Sequence, residues 1–291
     1  ALEKMGANFE LDHGVLIGKT DGLNGVEINL PYASVGATEN TLLAAVLAKG
    51  RTVIENAARE PEIVDIVNML LKMGANISGA GTSEIIIEGV DKLNPTDHEI
   101  IGDRIAAGTF LAAILSTKGS GKVNGINPEH LPMELKKLGE MGAKIDSTET
   151  SINIEYRDNL QSIELSTLPF PGIATDLQPI FGSALLLAEG TSILTENVYD
   201  QRFQWIPEAQ RMGANIQTGW QHAMIKGVKT LSGAPVHATD IRTGASLVIA
   251  ALQADGLSTI TGIDHINRGY EDIVASLTSL GSTIEYNDKH G

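Results

Sequence analysis

The sequence predicts an α/β protein made of a repeated unit in which helices alternate with short strands. Two independent glycine markers keep step along the 291 residues. The first lies in a Met/Leu-Gly-Ala/Ser motif and occurs at Gly6, Gly74, Gly142, Gly213 and Gly281. The second follows an apolar helix and occurs at Gly50, Gly119, Gly190 and Gly256. Because both series repeat every 66 to 71 residues, we expect structural copies that pack on one another.

The composition limits the classes of function. With 42% hydrophobic residues and no apolar run of about 18 residues, the chain is expected to be soluble and without a membrane span. A net charge of −15 argues against nucleic acid or an acidic membrane as partner, because phosphate binding needs a basic face. The absence of cysteine excludes disulfides and thiolate sites. No signal peptide is visible at Ala1, so a cytoplasmic location is expected.

The elements of one copy follow from its residue pattern. In the first complete copy they are a helix ending at Gly50, the strand Arg51–Glu55, the helix Pro61–Lys72 and the strands Asn76–Ser78 and Glu84–Glu88. In the second helix Ile63, Val67 and Leu70 recur on one apolar face. Gly74 follows where a left-handed C-cap residue is needed.

Helix starts with small or acidic residues are the first candidate binding features. In the stretch Leu30–Asn40, a turn through Ser34 and Gly36 leads into an apolar helix. The same form returns three times, at Asp103–Gly119, Thr175–Gly190 and Thr239–Gly256. Since the free N–H groups of a helix start attract anions, these starts predict one or two anion-binding clefts.

The copies define two predicted domains. Complete copies cover about 30–98, 101–167, 170–235 and 236–288, whereas residues 1–25 contain only the end of a helix and a strand. The segment Asn94–Gly102, with its Pro, Asp and His, has the character of a linker. We therefore expect an incomplete first domain at 1–100 and a second domain of three repeats at 101–291.

Eight short motifs carry a resemblance to a known family. They are SVGATEN at 34–40, ENAAREPEIVD at 55–65, DRI followed by GTF at 103–110, TDLQ at 175–178, RF at 202–203, LSGAP at 231–235, ATDIR at 238–242 and RGYE at 268–271. On these motifs, which span the whole chain, the sequence resembles the enolpyruvyl transferase family. The first two motifs are similar to the branch that acts on a UDP-sugar rather than to the shikimate-using branch.

The resemblance implies a fold and an activity. The fold would contain βαβαββ-type units in threefold inside-out α/β barrel domains, three units in each of two domains, with substrates in the cleft between the domains. The activity would transfer the enolpyruvyl group of phosphoenolpyruvate to the 3′-hydroxyl of UDP-N-acetylglucosamine by addition and elimination, releasing phosphate. This is the first committed step of peptidoglycan synthesis, and so belongs to cell wall biogenesis, cell shape, cell cycle and cell division.

Some parts of the family pattern have no counterpart in this sequence. The family's Lys-Asn pair, an arginine of the first domain and the proton-donor loop would precede Ala1, in a portion nearly two copies long. We therefore expect instability, a homo-oligomer or a complementary N-terminal segment as partner. Two alternatives stay open, namely a non-catalytic fragment or paralogue that only binds a nucleotide sugar, and a shikimate-type transferase.

Four residues match the family's catalytic positions. Asp176 matches the base that takes the proton of the sugar hydroxyl, although an aspartate at a helix start is more often a cap. Arg202, Arg242 and Arg268 match arginines that surround phosphate and carboxylate, and a guanidinium fork suits both groups. Surface ion pairing is the alternative for these arginines, since the chain carries 36 acidic residues.

A second set matches substrate-binding positions. The resemblance assigns the uridine diphosphate to the backbone and hydroxyl of a single stretch, and the sugar nucleotide to one further backbone contact. These residues are Tyr32, Ala33, Ser34, Val35 and Gly36, with Val198 as the further contact and Asp176 shared with the catalytic set.

The remaining candidates are less specific. Arg59, Glu60 and Glu62 serve either function or ion pairs between copies. Asp103 and Asp240 are expected as helix caps, and Asp240 also as a partner that orients Arg242. His237 and His265 are expected in loops, because the seven histidines lack metal-ligand spacing. Gly79 and Gly81 lie between strands, so they are no dinucleotide fingerprint, and no cofactor is expected.

Overall fold

The computed structural model describes residues 1–287 in two compact units, unit 1 from Ala1 to Ile101 and unit 2 from Gly102 onward. Residues 288–291, in which the last predicted copy and the second predicted domain end, lie outside the described residues.

Unit 1 contains one complete βαβαββ unit. Its elements are β1 (Asn8–Asp12), β2 (Val15–Lys19), β3 (Glu27–Asn29), α1 (Val35–Ala45), β4 (Arg51–Glu55), α2 (Pro61–Lys72), β5 (Asn76–Ser78) and β6 (Glu84–Glu88). Four strands form one sheet in the order β3-β4-β6-β5, in which only the β3–β4 pair is parallel. Ile54, Ile85 and Ile87 of this sheet are buried against the helices, as is Ile63 of α2. The four predicted elements from Arg51 to Glu88 are confirmed at their bounds.

The first residues of unit 1 form a separate hairpin. Strands β1 and β2 pair antiparallel, and Leu11 lies opposite Leu16. Both leucines are largely exposed, at 72% and 66%. Hydrogen-bonded turns precede β1, so the helix end predicted before Gly6 is not assigned as a helix.

Unit 2 holds the remaining elements. Its first part contains α3 (Arg104–Ser116), β7 (Ser120–Asn124), α4 (Pro132–Glu140), β8 (Ala143–Thr148), β9 (Ser151–Tyr156), β10 (Glu164–Ser166), α5 (Gln178–Ala184), β11 (Thr191–Thr195), α6 (Ile206–Arg211), β12 (Asn215–Gly219) and β13 (His222–Lys226). Its last part contains β14 (Leu231–Ser232), β15 (Pro235–His237), α7 (Ile241–Leu252), β16 (Ala254–Asp255), β17 (Thr259–Thr261), α8 (Ile263–Asn267) and α9 (Ile273–Ser279). Two 3-10 turns, Pro128–His130 and Thr175–Leu177, precede α4 and α5.

Three of the sheets repeat one topology, which confirms the predicted fold class, whereas the last copy has only the parallel pairs β14-β16 and β15-β17. The sheet β10-β11-β13-β12 has the order of the unit 1 sheet, again with only its first pair parallel. The sheet β7-β9-β8 reproduces the last three strands of that order. These three sheets have the same spacing of strands and glycine turns, so the first three complete sequence copies coincide with structural copies.

Helices α3, α5 and α7 pack against one another in the centre of unit 2. Leu111, Phe181 and Leu247, one from each helix, are fully buried. Gly182 of α5 allows the ring of Trp205 to approach closely, since a Cβ atom there would lie 2.4 Å from Trp205 Cζ2. This contact fixes the loop before α6 onto the first turns of α5.

The glycine markers adopt the backbone conformation that the sequence predicts. All five glycines of the Met/Leu-Gly-Ala/Ser motif have φ between +96° and +109°. Gly50, Gly190 and Gly256 are also left-handed, at +90° to +98°. At the remaining marker, Gly119, the left-handed residue is the preceding Lys118, with φ +59°, and Gly119 itself is not left-handed. Glycine pays no Cβ penalty in this region, which explains its periodic use.

Three predictions about the copies are wrong in detail. The helix after Ser34 ends at Ala45 and the one after Thr175 ends at Ala184, each several residues before the glycine marker. The fourth copy has two short helices, α8 and α9, where one was predicted. Within the described chain, residues 282–287 form no strand, so its two final strands are not seen there.

Candidate functional site

Two of the helix starts that the sequence predicts in unit 2 are capped by aspartates, as predicted. Asp103 Oδ1 accepts hydrogen bonds from the N–H groups of Ile105 and Ala106, at 2.7 and 3.1 Å. Asp240 Oδ1 accepts from the N–H groups of Arg242 and Thr243, at 2.8 and 3.0 Å. Burial opposes the charge of Asp240, but the Thr243 and Arg242 hydrogen bonds together lower its pKa below the ordinary value.

The third helix start differs, because its aspartate is no cap. The 3-10 turn before α5 has no side-chain cap, and its N-cap residue is Ala174. The carboxylate of Asp176 instead binds two guanidinium groups. Its Oδ1 accepts from Nη2 of Arg202 at 2.9 Å, and its Oδ2 accepts from Nε and Nη2 of Arg242 at 2.9 and 2.8 Å. The structure therefore brings three predicted site residues together around one carboxylate.

These charges are partly shielded from water. The side chains of Arg202 and Arg242 are 15% and 17% exposed, and that of Asp176 is 34% exposed. Arg202 also donates from Nε to the hydroxyl of Thr175, at 3.1 Å. Partial burial strengthens each charge interaction relative to a surface pair. Asp176, Arg202 and Arg242 together carry two positive charges and one negative charge, and Arg202 also interacts with the charge of Asp240.

Tyr270 connects this cluster to α3. Its hydroxyl lies 2.8 Å from Oγ1 of Thr109, which also donates to the carbonyl of Ile105 at 2.8 Å. Since the single hydroxyl proton of Thr109 goes to Ile105, Tyr270 is the donor to Thr109 and keeps its lone pairs for Arg242. Burial raises the pKa of Tyr270, against opposing effects of Thr109 and Arg242. Tyr270 is thus a neutral neighbour of the guanidinium.

Nη1 of Arg242 has no acceptor at hydrogen-bonding distance among the described residues, although Tyr270 lies close enough to affect the guanidinium. Burial opposes its charge, but Asp176 and Tyr270 raise the pKa of its guanidinium. Its Nη1 atom is buried and has no hydrogen-bond partner at bonding distance among residues 1–287. A buried donor of this kind is costly unless something accepts from it. The atom lies beside Gly269, 3.6 Å from the position that a Cβ would take there.

Arg268 is placed differently from the other two predicted arginines. It follows α8 at its C-terminal end and is exposed. Its side chain makes no hydrogen bond or ion pair with any residue that the structure describes. The structure therefore does not bring Arg268 into the cluster around Asp176.

A buried carboxylate supports the turn that carries Asp176. Glu134 of α4 is 1% exposed, and its Oε1 accepts from the N–H of Ala174 at 3.4 Å. Burial raises the pKa of Glu134, while backbone hydrogen bonds and the charge of Arg104 act in the opposite direction. The guanidinium of Arg104 lies 5.8 Å from the ring centre of Phe170. Glu134 carries no distinguishing signal in the sequence, because a glutamate on an amphipathic helix usually faces water.

In unit 1, the predicted substrate-binding stretch forms the start of α1. Ser34 caps the helix, since its Oγ accepts from the N–H of Ala37 at 3.2 Å. Its carbonyl accepts from the hydroxyl of Thr38 at 2.8 Å. Val35 and Gly36 begin the helix, Ala33 is half-buried, and Tyr32 is 41% exposed. The stretch is a capped helix start with little side-chain bulk, as the sequence predicts.

The motif at residues 55–65 of unit 1 contains the start of α2. Glu60 is the N-cap residue of α2 and is 5% exposed. Burial raises the pKa of Glu39, and the charges of Glu62 and Glu60 raise it further. Glu39, Glu60 and Glu62 therefore concentrate negative charge near the start of α2. Arg59 adds a positive charge directly before Glu60 in the sequence.

The described part of the chain contains neither a candidate metal site nor a helix that could span a membrane. No group of three or more His, Cys, Asp or Glu side chains could hold a metal ion among residues 1–287. In the same residues, every helix is too short or too polar to cross a lipid bilayer.

A family model described as EPSP synthase (3-phosphoshikimate 1-carboxyvinyltransferase) matches residues 1–277. The chain belongs to the enolpyruvyl transferase family. This confirms the resemblance that the sequence motifs indicate.

Relatives of this enolpyruvyl transferase sequence are named UDP-N-acetylglucosamine 1-carboxyvinyltransferase. One from Nocardia farcinica is 48% identical over 284 residues, which are 98% of this chain and 67% of the relative. One from Thermotoga maritima is 46% identical over 290 residues, which are 99% of this chain and 69% of the relative. The chain thus spans about two thirds of the length of these relatives.

Solved structures agree on the fold. The enolpyruvyl transferase NikO from Streptomyces tendae matches with a TM-score of 0.87 at 25% identity, over 97% of this chain and 70% of NikO. An EPSP synthase from Acinetobacter baumannii matches with a TM-score of 0.72 at 22% identity, over 98% of this chain and 70% of that structure.

Proposed function

We propose that the protein transfers the enolpyruvyl group of phosphoenolpyruvate to the 3′-hydroxyl of UDP-N-acetylglucosamine and releases phosphate. The observation that carries the chemistry is the carboxylate of Asp176, shared between Arg202 and Arg242. Such a cluster combines a proton acceptor with two anion receptors. The choice of acceptor rests on the names of relatives at 46–48% identity.

In the proposed reaction, Asp176 takes the proton of the sugar hydroxyl. The hydroxyl oxygen then bonds to C2 of phosphoenolpyruvate while the C3 methylene gains a proton and becomes a methyl group. In the second step the C2–O bond to phosphate breaks, C3 loses a proton, and the double bond forms again. We assign the proton acceptor to Asp176, and no residue of this chain is assigned as donor to C3.

The arginines bind the anionic groups in this scheme. Both carboxylate oxygens of Asp176 accept hydrogen bonds from guanidinium donors. A phosphate or carboxylate that takes over Nη2 of Arg242 would leave Oδ2 of Asp176 with only the hydrogen bond from Nε, and the freed lone pair of Oδ2 would act as the base. Nη1 of Arg242 is a second donor for the same ligand. The role of Arg268, which lies outside this cluster, rests on the family resemblance alone.

The nucleotide part is assigned to other residues. We place the uridine diphosphate against Tyr32, Ala33, Ser34, Val35 and Gly36, where the start of α1 offers unpaired backbone N–H groups to a diphosphate. Val198 donates its own N–H to Glu196 at 2.9 Å. A backbone contact from Val198 to the sugar nucleotide would therefore come from its carbonyl oxygen.

The place of this reaction follows from its proposed substrates. Both are highly charged and do not cross a lipid bilayer unaided, so we place the protein in the cytoplasm. There the reaction would serve peptidoglycan synthesis, and through it cell wall biogenesis, cell shape and cell division.

One observation favours a second candidate, since the matching family model carries the name of the shikimate enzyme. The test is phosphate release by the protein as its own cell makes it, with phosphoenolpyruvate and either UDP-N-acetylglucosamine or 3-phosphoshikimate. Release with the UDP-sugar alone is the expected result. Release with 3-phosphoshikimate alone would favour the second candidate, and release with neither would favour a protein that only binds nucleotide sugars.

We also propose that exposed leucines of unit 1 are covered by a partner. Leu43 of α1 is 48% exposed and Leu47, just after α1, is 55% exposed, and the hairpin residues Leu11 and Leu16 are exposed to a greater extent. Exposed apolar side chains of this size favour coverage by a second copy or by a complementary segment. Light scattering of the protein from its own cell tests this, and a stable monomer of the calculated 30.8 kDa would contradict it.

A further inference from the structure

A buried carboxylate closes the loop between β11 and Arg202. Glu196 directly follows β11 and is 2% exposed. Its Oε1 accepts three hydrogen bonds, from the hydroxyl of Thr167 at 2.7 Å and from the N–H groups of Val198 and Tyr199 at 2.9 and 3.0 Å. One carboxylate oxygen therefore satisfies three donors of the turn, while Oε2 is buried without a hydrogen-bond partner among the described residues.

The turn is tied to the neighbouring strand as well. Thr167 follows β10, and its hydroxyl oxygen accepts from the N–H of Asn197 at 2.9 Å. The side chain of Asn197 donates to the carbonyl of Thr167 at 3.1 Å. These hydrogen bonds from Thr167 and Glu196 therefore fix the backbone from Glu196 to Tyr199.

Tyr199 transmits this order to Arg202 in two ways. Its carbonyl accepts from the N–H of Arg202 at 3.1 Å. Its ring lies under the guanidinium, with 4.7 Å between Cζ of Arg202 and the ring centre. An arginine over a tyrosine ring gains a cation–π attraction and loses freedom of rotation. The same guanidinium then reaches Thr175 and Asp176.

The other copies turn differently at the same position. The residue after the corresponding strand is Asn56, Gly125 or Gly262, and each has a left-handed φ, of +56°, +77° and +77°. Glu196 does not have a left-handed φ. Only before Arg202 does a carboxylate replace the left-handed residue at this turn. A buried carboxylate is expensive, so its use here needs a reason beyond closing a loop.

We propose that Glu196 and Tyr199 are positioning residues for Arg202. The carboxylate fixes the backbone of the turn, and the ring holds the guanidinium at Asp176. Their effect on turnover rests on the proposed function, whereas their effect on the geometry of Arg202 does not.

Two matched pairs of variants test the proposal. Glu196→Gln keeps a carbonyl oxygen that accepts the same three hydrogen bonds, while Glu196→Ala removes the acceptor. Tyr199→Phe keeps the ring, while Tyr199→Leu removes it. The second pair tests the proposal even where Glu196→Ala fails to fold, because Tyr199 is half exposed.

The first measurement is the NMR signal of the Arg202 Nε–H, which is hydrogen-bonded to Thr175. It is assigned by its loss in Arg202→Lys. We expect it to shift or broaden in Glu196→Ala and Tyr199→Leu and to stay in place in the two conservative variants. An unchanged signal in Tyr199→Leu would overturn the proposal, whatever reaction the protein performs.

The second measurement is turnover with phosphoenolpyruvate and the UDP-sugar. We expect Glu196→Ala and Tyr199→Leu to lower kcat by about tenfold to a hundredfold, with rescue in Glu196→Gln and Tyr199→Phe. In an Arg202→Ala background the same changes should have almost no further effect. A full additive loss there would show that they do not act through Arg202. An inactive wild type with the expected NMR result would instead count against the proposed function alone.

Discussion

Asp176 and Arg242 form a two-point contact, in which Oδ2 accepts from Nε at 2.9 Å and from Nη2 at 2.8 Å. Arg202 occupies the other carboxylate oxygen. The proposed base and the proposed anion receptors are thus bound to each other. An anionic substrate must compete with Asp176 for the guanidiniums, and this competition links substrate binding to activation of the base.

The first prediction concerns Asp176→Asn. Loss of the base should lower turnover by about 10²- to 10⁴-fold. At the same time inorganic phosphate should bind more tightly, because a neutral amide competes less strongly for Arg202 and Arg242. Steady-state kinetics and calorimetric titration with phosphate measure the two effects. Asp146→Asn, at an exposed pair with Lys144, is the control and should change neither quantity. Weaker phosphate binding in Asp176→Asn would contradict the competition.

The second prediction concerns Arg242→Lys. A lysine keeps the charge but cannot offer both Nε and Nη2 to Asp176, nor a third donor to a ligand. We expect turnover to fall by about 10²-fold, as on removal of a donor that stabilises developing charge. Arg211→Lys changes an arginine that only pairs with Glu208 on the same helix, and should be silent. Equal kinetics in both variants would remove Arg242 from the scheme.

The third prediction concerns packing at Gly182. A methyl group there would meet the buried ring of Trp205, so Gly182→Ala should lower the free energy of unfolding by about 1–3 kcal/mol. Gly139 lies inside α4 with open space at its Cβ position, and Gly139→Ala should be neutral or stabilising by up to about 1 kcal/mol. Urea unfolding by tryptophan fluorescence measures both, since Trp205 is buried and Trp220 is fully exposed. A tolerated Gly182→Ala would mean that the ring can move away.

The fourth prediction concerns the cap of α7. Asp240→Ala should lower the free energy of unfolding by about 1–2 kcal/mol at neutral pH, since two N–H groups lose their acceptor. The lowered pKa of Asp240 means that its ionised form stabilises the folded state. That stabilisation is present above the ordinary pKa of aspartate and is lost as the pH falls through the lowered value.

The matched variant for this pH effect is Asp240→Asn, which caps well but cannot ionise. The stability difference between wild type and Asp240→Asn should shrink as the pH falls from about 7 to about 3. Urea unfolding at several pH values measures it. A difference that grows on acidification would reverse the sign that the pKa shift requires.

Much of the fold could be predicted from local signals. The bounds of α2 and of β4 to β6 follow from apolar periodicity and from left-handed glycines such as Gly74. The ends of α1 and α5 could not, because apolar residues continue past Ala45 and Ala184 after the helix stops. There the packing of the turn decides the end, and periodicity alone does not report it.

The candidate site divides in the same way. Asp176, Arg202 and Arg242 carried motif signals, and the structure brings them into contact. Thr109 and Tyr270 lie within quoted motifs, but their contact spans 161 residues of sequence and has no local signature. Glu134 and Glu196 could not be recognised, since burial of a glutamate depends on tertiary packing.

The most direct test of the proposed chemistry follows the methylene hydrogens. The protein from its own cell is incubated in deuterated water with phosphoenolpyruvate and UDP-N-acetylglucosamine, and the product is examined by NMR. Addition and elimination pass through a methyl group at C3, so we predict phosphate release and deuterium in the enolpyruvyl methylene of the product. A product whose methylene hydrogens all come from phosphoenolpyruvate, or the absence of any such product, would contradict this account.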